Sequence, residues 1–154
     1  MAVTCEMDLA RTVDAIRIAL LSRNLIEHGL PWSWTPQRIR GCIRHPEYVV
    51  MVARAQNAMA GFGVMHYLQQ HAHLCLLGVE PAFQRMGIGR RMMEWLEETA
   101  RVAGIFDVVL EVRTGNGQAA LFYESLGYRT EKEVRRYYSS VENAVRMRRS
   151  LKVG

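Results

Sequence analysis

The sequence predicts an α/β (α+β) domain: a mixed, mainly antiparallel sheet with helices packed on both faces. Three observations predict it. Stretches with apolar residues at three- and four-residue steps alternate with short runs rich in valine, leucine and aromatic residues. Glycine, proline and asparagine punctuate the joins. The order is two helices, three antiparallel strands, helix, strand, helix and two strands, which is that of a mixed sheet with helices against it.

The first helix is expected in DLARTVDAIRIALLSRNLIEH, where Leu9, Val13, Ile16 and Leu20 fall at helical steps, and Gly29 and Pro31 stop it. No convincing strand precedes it, and Ala2–Met7 is a weak candidate. After the PWSW loop, Thr35 and Pro36 read as an N-cap and a first helical residue, opening a short helix to about Ile43. EYVVMVAR, MAGFGVMHYL and HAHLCLLGV follow as strands, turning at Gln56-Asn57 and near Gln69-Gln70, and Glu80-Pro81 ends the third. The helix from about Gly87 to Ala103 aligns Ile88, Met92, Trp95 and Leu96. DVVLEV is a strand, NGQAALFYESLG a helix stopped by Gly127, and YRTEKEVRRYY and AVRMRRSL are the last strands.

With 154 residues, 49% of them hydrophobic and no repeat or linker, residues 1–154 read as one domain with a real core. The apolar runs are too short to cross a bilayer, and the first residues lack the basic-then-apolar pattern of a secretory leader. Cys5, Cys42 and Cys75 form no disulfide framework, so reduced thiols and a cytoplasmic location are expected. The net charge of +5 favours an acidic partner, such as a phosphorylated cofactor, nucleic acid, a ribosome surface or an acidic protein. The dense basic stretch Arg135–Arg149 also fits a plain solvated face.

FQRMGIGRRMMEWLEE sets Gly87 and Gly89 among Arg85, Arg90 and Arg91, at the junction of a strand and a helix. The first N–H groups of a helix lack internal partners and carry the positive end of its dipole. Glycines let a phosphate approach them, and arginines add charge-assisted bonds. A dinucleotide fingerprint needs a third glycine where Met92 stands, and a P-loop needs a Gly-Lys-Ser/Thr that is absent. A glycine turn with exposed arginines remains the structural alternative.

QRMGIG, from Gln84 to Gly89, resembles the Q/R-x-x-G-x-G/A loop of the GNAT N-acetyltransferase superfamily. N-x-x-A-x-x-F-Y-x-x-x-G-Y, from Asn116 to Tyr128, resembles its next motif, in the right order and spacing. Within that superfamily, LEVR, NGQAALFYESLGYR and RRYYSSVENA are most similar to bacterial enzymes that acetylate the N-terminal alanine of a small-subunit ribosomal protein. The resemblance implies acetyl-CoA as cosubstrate and a sheet split between parallel strands at Leu74–Val79 and Val108–Val112. It implies that a bulge near Leu77, Gly78 and Val79 offers backbone groups to the pantetheine arm. It also implies that Arg85, Met86, Gly87, Ile88, Gly89 and Arg90 hold the pyrophosphate and that Asn116 contacts the cofactor.

Glu111 interrupts an apolar strand, on the face opposite Leu110 and Val112. It fits an ion pair with an arginine such as Arg113, or a general base, the role that the resemblance implies. Tyr123 lies seven residues after Asn116, about 10 Å along one helix face. It fits a core tyrosine or a general acid that protonates the departing thiolate. A neutral amine would attack the thioester directly, leaving Cys75 as a core thiol. An α-amine has a pKa of about 7.7–8.0 and lysine one of about 10.4, a gap worth roughly 3.4 kcal/mol of deprotonation work. A carboxylate base therefore suits a protein N-terminus better.

His71, His73 and Cys75 alternate on one strand without an evident fourth ligand, so no metal is expected. His66 reads as structural. Trp32, Trp34, Tyr137 and Tyr138 either line the acceptor mouth or simply pack. Three functions stay open: acetylation of a protein N-terminal amine, the same chemistry on a small-molecule amine or lysine, and a non-catalytic acetyl-CoA sensor. Neither a membrane nor nucleic acid is an expected partner, and the oligomeric state, monomer or homodimer, is open.

Overall fold

The computed structural model describes residues 4–138 and 142–152. Seven strands form one sheet: β1 (Glu6–Leu9), β2 (Tyr48–Ala55), β3 (Ala58–Tyr67), β4 (Ala72–Val79), β5 (Asp107–Arg113), β6 (Arg129–Tyr138) and β7 (Glu142–Ser150). Their spatial order is β1-β2-β3-β4-β5-β7-β6, antiparallel except for the β4–β5 pair. Helices α1 (Ala15–Leu25) and α2 (Pro36–Arg44) cover one face, packing Ile18, Leu21 and Ile39 against Val50, Phe62 and Leu76. Helices α3 (Ile88–Val102) and α4 (Gly117–Ser125) cover the other, packing Met92, Leu96 and Tyr123 against Met51, Leu74 and Leu110. Each fully buried aliphatic or aromatic side chain contributes about 1.5–3 kcal/mol.

Local chemistry explains most boundaries. Gln56 and Asn57 both have positive φ, at 54° and 62°, as a two-residue hairpin turn requires, and they join β2 to β3. Thr35 Oγ1 accepts from the Arg38 N–H at 3.3 Å, with Pro36 at the first position of α2. Gly127, at φ 99°, ends α4, and the Tyr128 N–H closes on the Tyr123 carbonyl at 3.0 Å.

The N-terminal region departs from expectation. A strand does precede the first helix, but at Glu6–Leu9, where it pairs with Met51–Arg54 of β2. The expected candidate, Ala2–Met7, overlaps it only in part, and residues 1–3 lie outside the described residues. Leu9 therefore belongs to β1, and α1 starts at Ala15 after a single 3₁₀ turn over Thr12–Asp14. The expected apolar stripe points outward, with Val13 74% and Ile16 55% exposed. The buried stripe is Ala15, Ile18, Ala19 and Ser22, also at helical spacing, whose small side chains bring α1 close to the sheet.

The sheet forks between β4 and β5. The two strands pair only at Ala72–Val108, His73–Val109 and Leu74–Leu110, and then run on apart. The β3–β4 register slips at the same level: Met65 faces Leu74 and Val64 faces Leu76, so Cys75 is an extra residue. A bulge bends its strand and sharpens the twist, which turns β4 away from β5. The bulge was expected near Leu77, Gly78 and Val79, but those residues pair regularly with Gly63, Phe62 and Gly61. Gly78 has a packing reason instead: the Phe62 ring lies 2.7 Å from where a Cβ would stand.

Candidate active site

A cleft of about 570 Å³ opens at the fork. Leu76, Leu77, Leu110 and Val112 form its walls where the strands diverge, and Ala119 and Tyr123 of α4, with Asn116 at its N-cap, close one side. On the α1–α2 face its mouth is bounded by Trp34, Tyr48, His66 and Tyr137. The cleft thus runs through the sheet from one helix layer toward the other.

Beyond the end of β4, the chain makes the glycine loop. The Gln84 side chain donates to the Val79 carbonyl at 3.0 Å, and Arg85 and Gly87 take left-handed φ values of 63° and 79°. For Arg85 that conformation is costly; for Gly87 it is free, and a Cβ there would meet nothing. Helix α3 begins with its first internal bond from the Arg91 N–H to the Gly87 carbonyl, at 3.2 Å. The N–H groups of Ile88, Gly89 and Arg90 precede that bond, and no side chain among the described residues caps this end. Arg85, Met86 and Arg90 are exposed around them. Arg91 is engaged elsewhere, donating to the Cys5 carbonyl at 2.9 Å. Gly89 faces Phe122, whose ring lies 3.2 Å from a would-be Cβ, so this glycine also lets α3 and α4 approach.

These features fit an elongated thioester with a pyrophosphate at one end. The uncapped helix start and its arginines suit the anion, and the unpaired edge of β4 from Cys75 to Val79 suits an amide-bearing arm. Asn116 has a structural duty there: its Oδ1 accepts from the Ala119 N–H at 3.1 Å and so caps α4.

Glu111 stands across the fork with a side chain only 3% exposed. Its Oε1 accepts from His73 Nε2 at 2.5 Å and from the Tyr137 hydroxyl at 2.9 Å, and Oε2 accepts from Arg146 Nε at 2.7 Å. Burial alone would raise its pKa, but bonding to His73, the charge on His73 and bonding to Arg146 and Tyr137 outweigh that and hold the carboxyl below its ordinary value. For His73, burial pulls down, while bonding to Cys75 and Glu111 lifts the ring to about 9. The expected ion pair with an arginine is present, but with Arg146 and not Arg113, which donates instead to the His28 and Ile26 carbonyls at 2.8 and 2.9 Å, tying β5 to the end of α1.

The aromatic mouth has its own anchor. Glu27, 6% exposed, accepts from Ser22 Oγ, the Ser33 N–H and Oγ and the Trp34 N–H, all between 2.7 and 3.1 Å. This fixes the PWSW loop, and Arg38 stacks 3.6 Å over the Trp34 ring. His66 stacks on Tyr48 at 4.1 Å. Trp32 lies outside the cleft under Arg23, and the Tyr138 side chain is outside the described residues.

The structure therefore gathers Glu111, Asn116, Tyr123, Leu77, Trp34 and Tyr137 around one cleft, with the Arg85–Arg90 loop and Val79 beyond its far end. Sequence reasoning missed His73, Arg146 and Glu27. The signal for His73 was available, since parallel pairing of β4 with β5 puts His73 and Glu111 on one face, opposite Leu74 and Leu110. Arg146 faces Glu111 directly across the β5–β7 pair. Nothing local marked Glu27. Cys75, expected in the core, does pack against the α1–α2 core, and it also lines the cleft. Among the described residues, no group of three or more His, Cys, Asp or Glu is arranged to hold a metal ion.

The chain resembles proteins that carry this architecture. It is 31% identical to ribosomal protein bS18-alanine N-acetyltransferase of Salmonella typhimurium, over 75% of this chain and 76% of that one. It is 34% identical to the N-alpha-acetyltransferase RimI of Mycobacterium tuberculosis, over 88% and 86%. The crystal structure of the ribosomal-protein-S18-alanine N-acetyltransferase from Escherichia coli superposes with a TM-score of 0.83 at 25% identity, covering 98% of this chain and 96% of that one. The model of the acetyltransferase (GNAT) family matches residues 15–128, from the start of α1 through the fork, the glycine loop and α4, and the chain belongs to that family.

Proposed function

We propose that this chain is an acetyl-CoA-dependent N-acetyltransferase whose acceptor is a protein N-terminal α-amine, of the ribosomal-protein-alanine kind. The observation that carries the reading is the cleft itself. It joins a thioester-sized fork to a mouth of aromatic side chains, with one buried carboxylate at the junction. The N-acetyltransferase relatives, two of them named for ribosomal alanine, support the acceptor class.

When bound, acetyl-CoA supplies an activated acyl group. The residues around it position it and move protons. The N–H groups of Ile88, Gly89 and Arg90, with the Arg85 and Arg90 guanidinium groups, hold the pyrophosphate. The β4 edge at Leu77, Gly78 and Val79 bonds the pantetheine amides, and Asn116 borders the arm. Trp34, Tyr48 and Tyr137 form the walls against which the first residues of a peptide lie.

Glu111 takes the proton that the amine sheds. Its depressed pKa limits it as a base toward a free ammonium ion. The amine nitrogen becomes far more acidic as it bonds to carbon, and a carboxylate held low still accepts that proton. The amine must then arrive neutral, which an α-amine does to about a tenth at pH 7 and a lysine scarcely at all. Tyr123, on α4 at the other wall, donates its hydroxyl proton to the departing sulfur.

The test is direct transfer. A short peptide beginning with alanine and lacking lysine is incubated with acetyl-CoA and the protein, and fragmentation locates the added acetyl group. Enzyme-dependent acetyl on the α-nitrogen supports the reading. No transfer to it, with transfer to polyamines or lysine peptides, overturns the acceptor assignment.

A further inference from the structure

Cys75 occupies a position that the amine-transfer chemistry does not use. It is the bulged residue of β4, immediately past the last β4–β5 pair, and its half-buried side chain packs at the edge of the α1–α2 core and lines the cleft. Its Sγ lies 3.8 Å from His73 Nδ1, and the other ring nitrogen of His73 lies 2.5 Å from the Glu111 carboxylate. Thiol, imidazole and carboxylate thus stand in the order nucleophile, base and orienter, at separations common before substrate tightens such a site. The ring is faced by Glu111 from β5 and Cys75 from its own strand, and Arg146 of β7 and Tyr137 of β6 reach it through Glu111. Cys5 and Cys42 are different: both are buried, and burial pushes their thiols up in pKa, as for inert structural cysteines.

We propose that Cys75 is a second acyl acceptor, taking the acetyl group from bound acetyl-CoA when no amine is present and releasing it to water, which makes the protein a slow acetyl-CoA thioesterase. This rests on the acetyl-CoA reading above. The Cys75 thiol proton passes to His73 Nδ1 as the sulfur bonds to the acetyl carbon. The bond from that carbon to the CoA sulfur breaks, and the CoA thiolate takes the proton. Water then attacks the S-acetyl carbon and gives up a proton through His73. The carbon–sulfur bond breaks, and the products are acetate and the Cys75 thiol. No oxidant, reductant or further reactant is needed.

The full chain is incubated with acetyl-CoA and no acceptor at pH 9, near the value at which His73 loses its proton. Three readouts are taken: acetyl-CoA affinity by calorimetry, acetylated peptides by mass spectrometry with neutral hydroxylamine to cleave thioesters, and CoA release. The expected result is one hydroxylamine-sensitive acetyl group on the Cys75 peptide. Cys75→Ala and Cys75→Ser should both lose that label and cut acceptor-free CoA release by more than about tenfold. His73→Asn should slow the labelling of an intact Cys75, with acetyl-CoA still bound. Binding without a label on Cys75, or equal labelling of Cys5, Cys42 and Cys75, overturns this inference and leaves the amine reading standing. Absence of acetyl-CoA binding overturns both.

Discussion

Among the described residues, the Glu111 carboxylate receives hydrogen bonds from His73 of β4, Tyr137 of β6 and Arg146 of β7. Such a group is held in place and kept ionised, which suits late proton acceptance better than early proton removal. Its partner His73 carries the pH consequence. A ring lifted from 6.5 to about 9 binds its proton more tightly folded than unfolded. The stability it adds is complete below pH 6.5 and is lost as pH rises through 9, and it is on the order of 3 kcal/mol. Denaturant titrations of wild type and His73→Asn across that window should show a fall in stability in the first and a flatter profile in the second. Equal slopes would remove His73 as the cause. Tyr123→Phe should keep acetyl-CoA affinity and lower turnover by about 10²–10⁴, the usual range for a lost proton donor. Unchanged turnover would reduce Tyr123 to packing. At this scale the presence of Glu111 and Tyr123 at the cleft was legible because a polar group in an apolar strand and a tyrosine inside a motif both stand out. The ring of donors around Glu111 was not, because it is assembled from residues 26 to 38 positions away in sequence.

Among the elements, the hairpins, α2, α3 and α4 were readable because their ends are chemically marked, as by Thr35-Pro36, Gln56-Asn57 and Gly127. Helix α1 shows the limit of periodicity. Two stripes at helical spacing share it, and only packing decides that the alanine-rich one turns inward. The β4 bulge, which the resemblance implied near Leu77, Gly78 and Val79, lies at Cys75 instead, and Gly78 makes room for Phe62. The glycine loop gives a test at this scale. Gly89→Val puts methyl groups both toward the anion site and against Phe122. Acetyl-CoA affinity should fall more than about tenfold, beyond any loss explained by a lowered melting temperature. A lower melting temperature with unchanged affinity would mean that the glycine serves only the α3–α4 contact.

Across the whole molecule, the division of labour follows the sheet. The α3–α4 face supplies the glycine loop and Tyr123, proposed for the cofactor, and the α1–α2 face supplies the Glu27-anchored loop and the aromatic mouth, proposed for the acceptor. The fork lets the two meet. In the proposed mechanism, acceptor choice depends on which amine reaches the fork uncharged, because a carboxylate held below its ordinary pKa is too weak a base to neutralise it first. The most direct measurement is the pH–rate profile on two peptides of one sequence, the first with a free N-terminal alanine and no lysine, the second with a blocked N-terminus and one lysine. The free α-amine should be acetylated faster at every pH below about 9, its rate levelling off near pH 8 as that amine becomes neutral. A lysine peptide acetylated faster throughout that range would contradict the account.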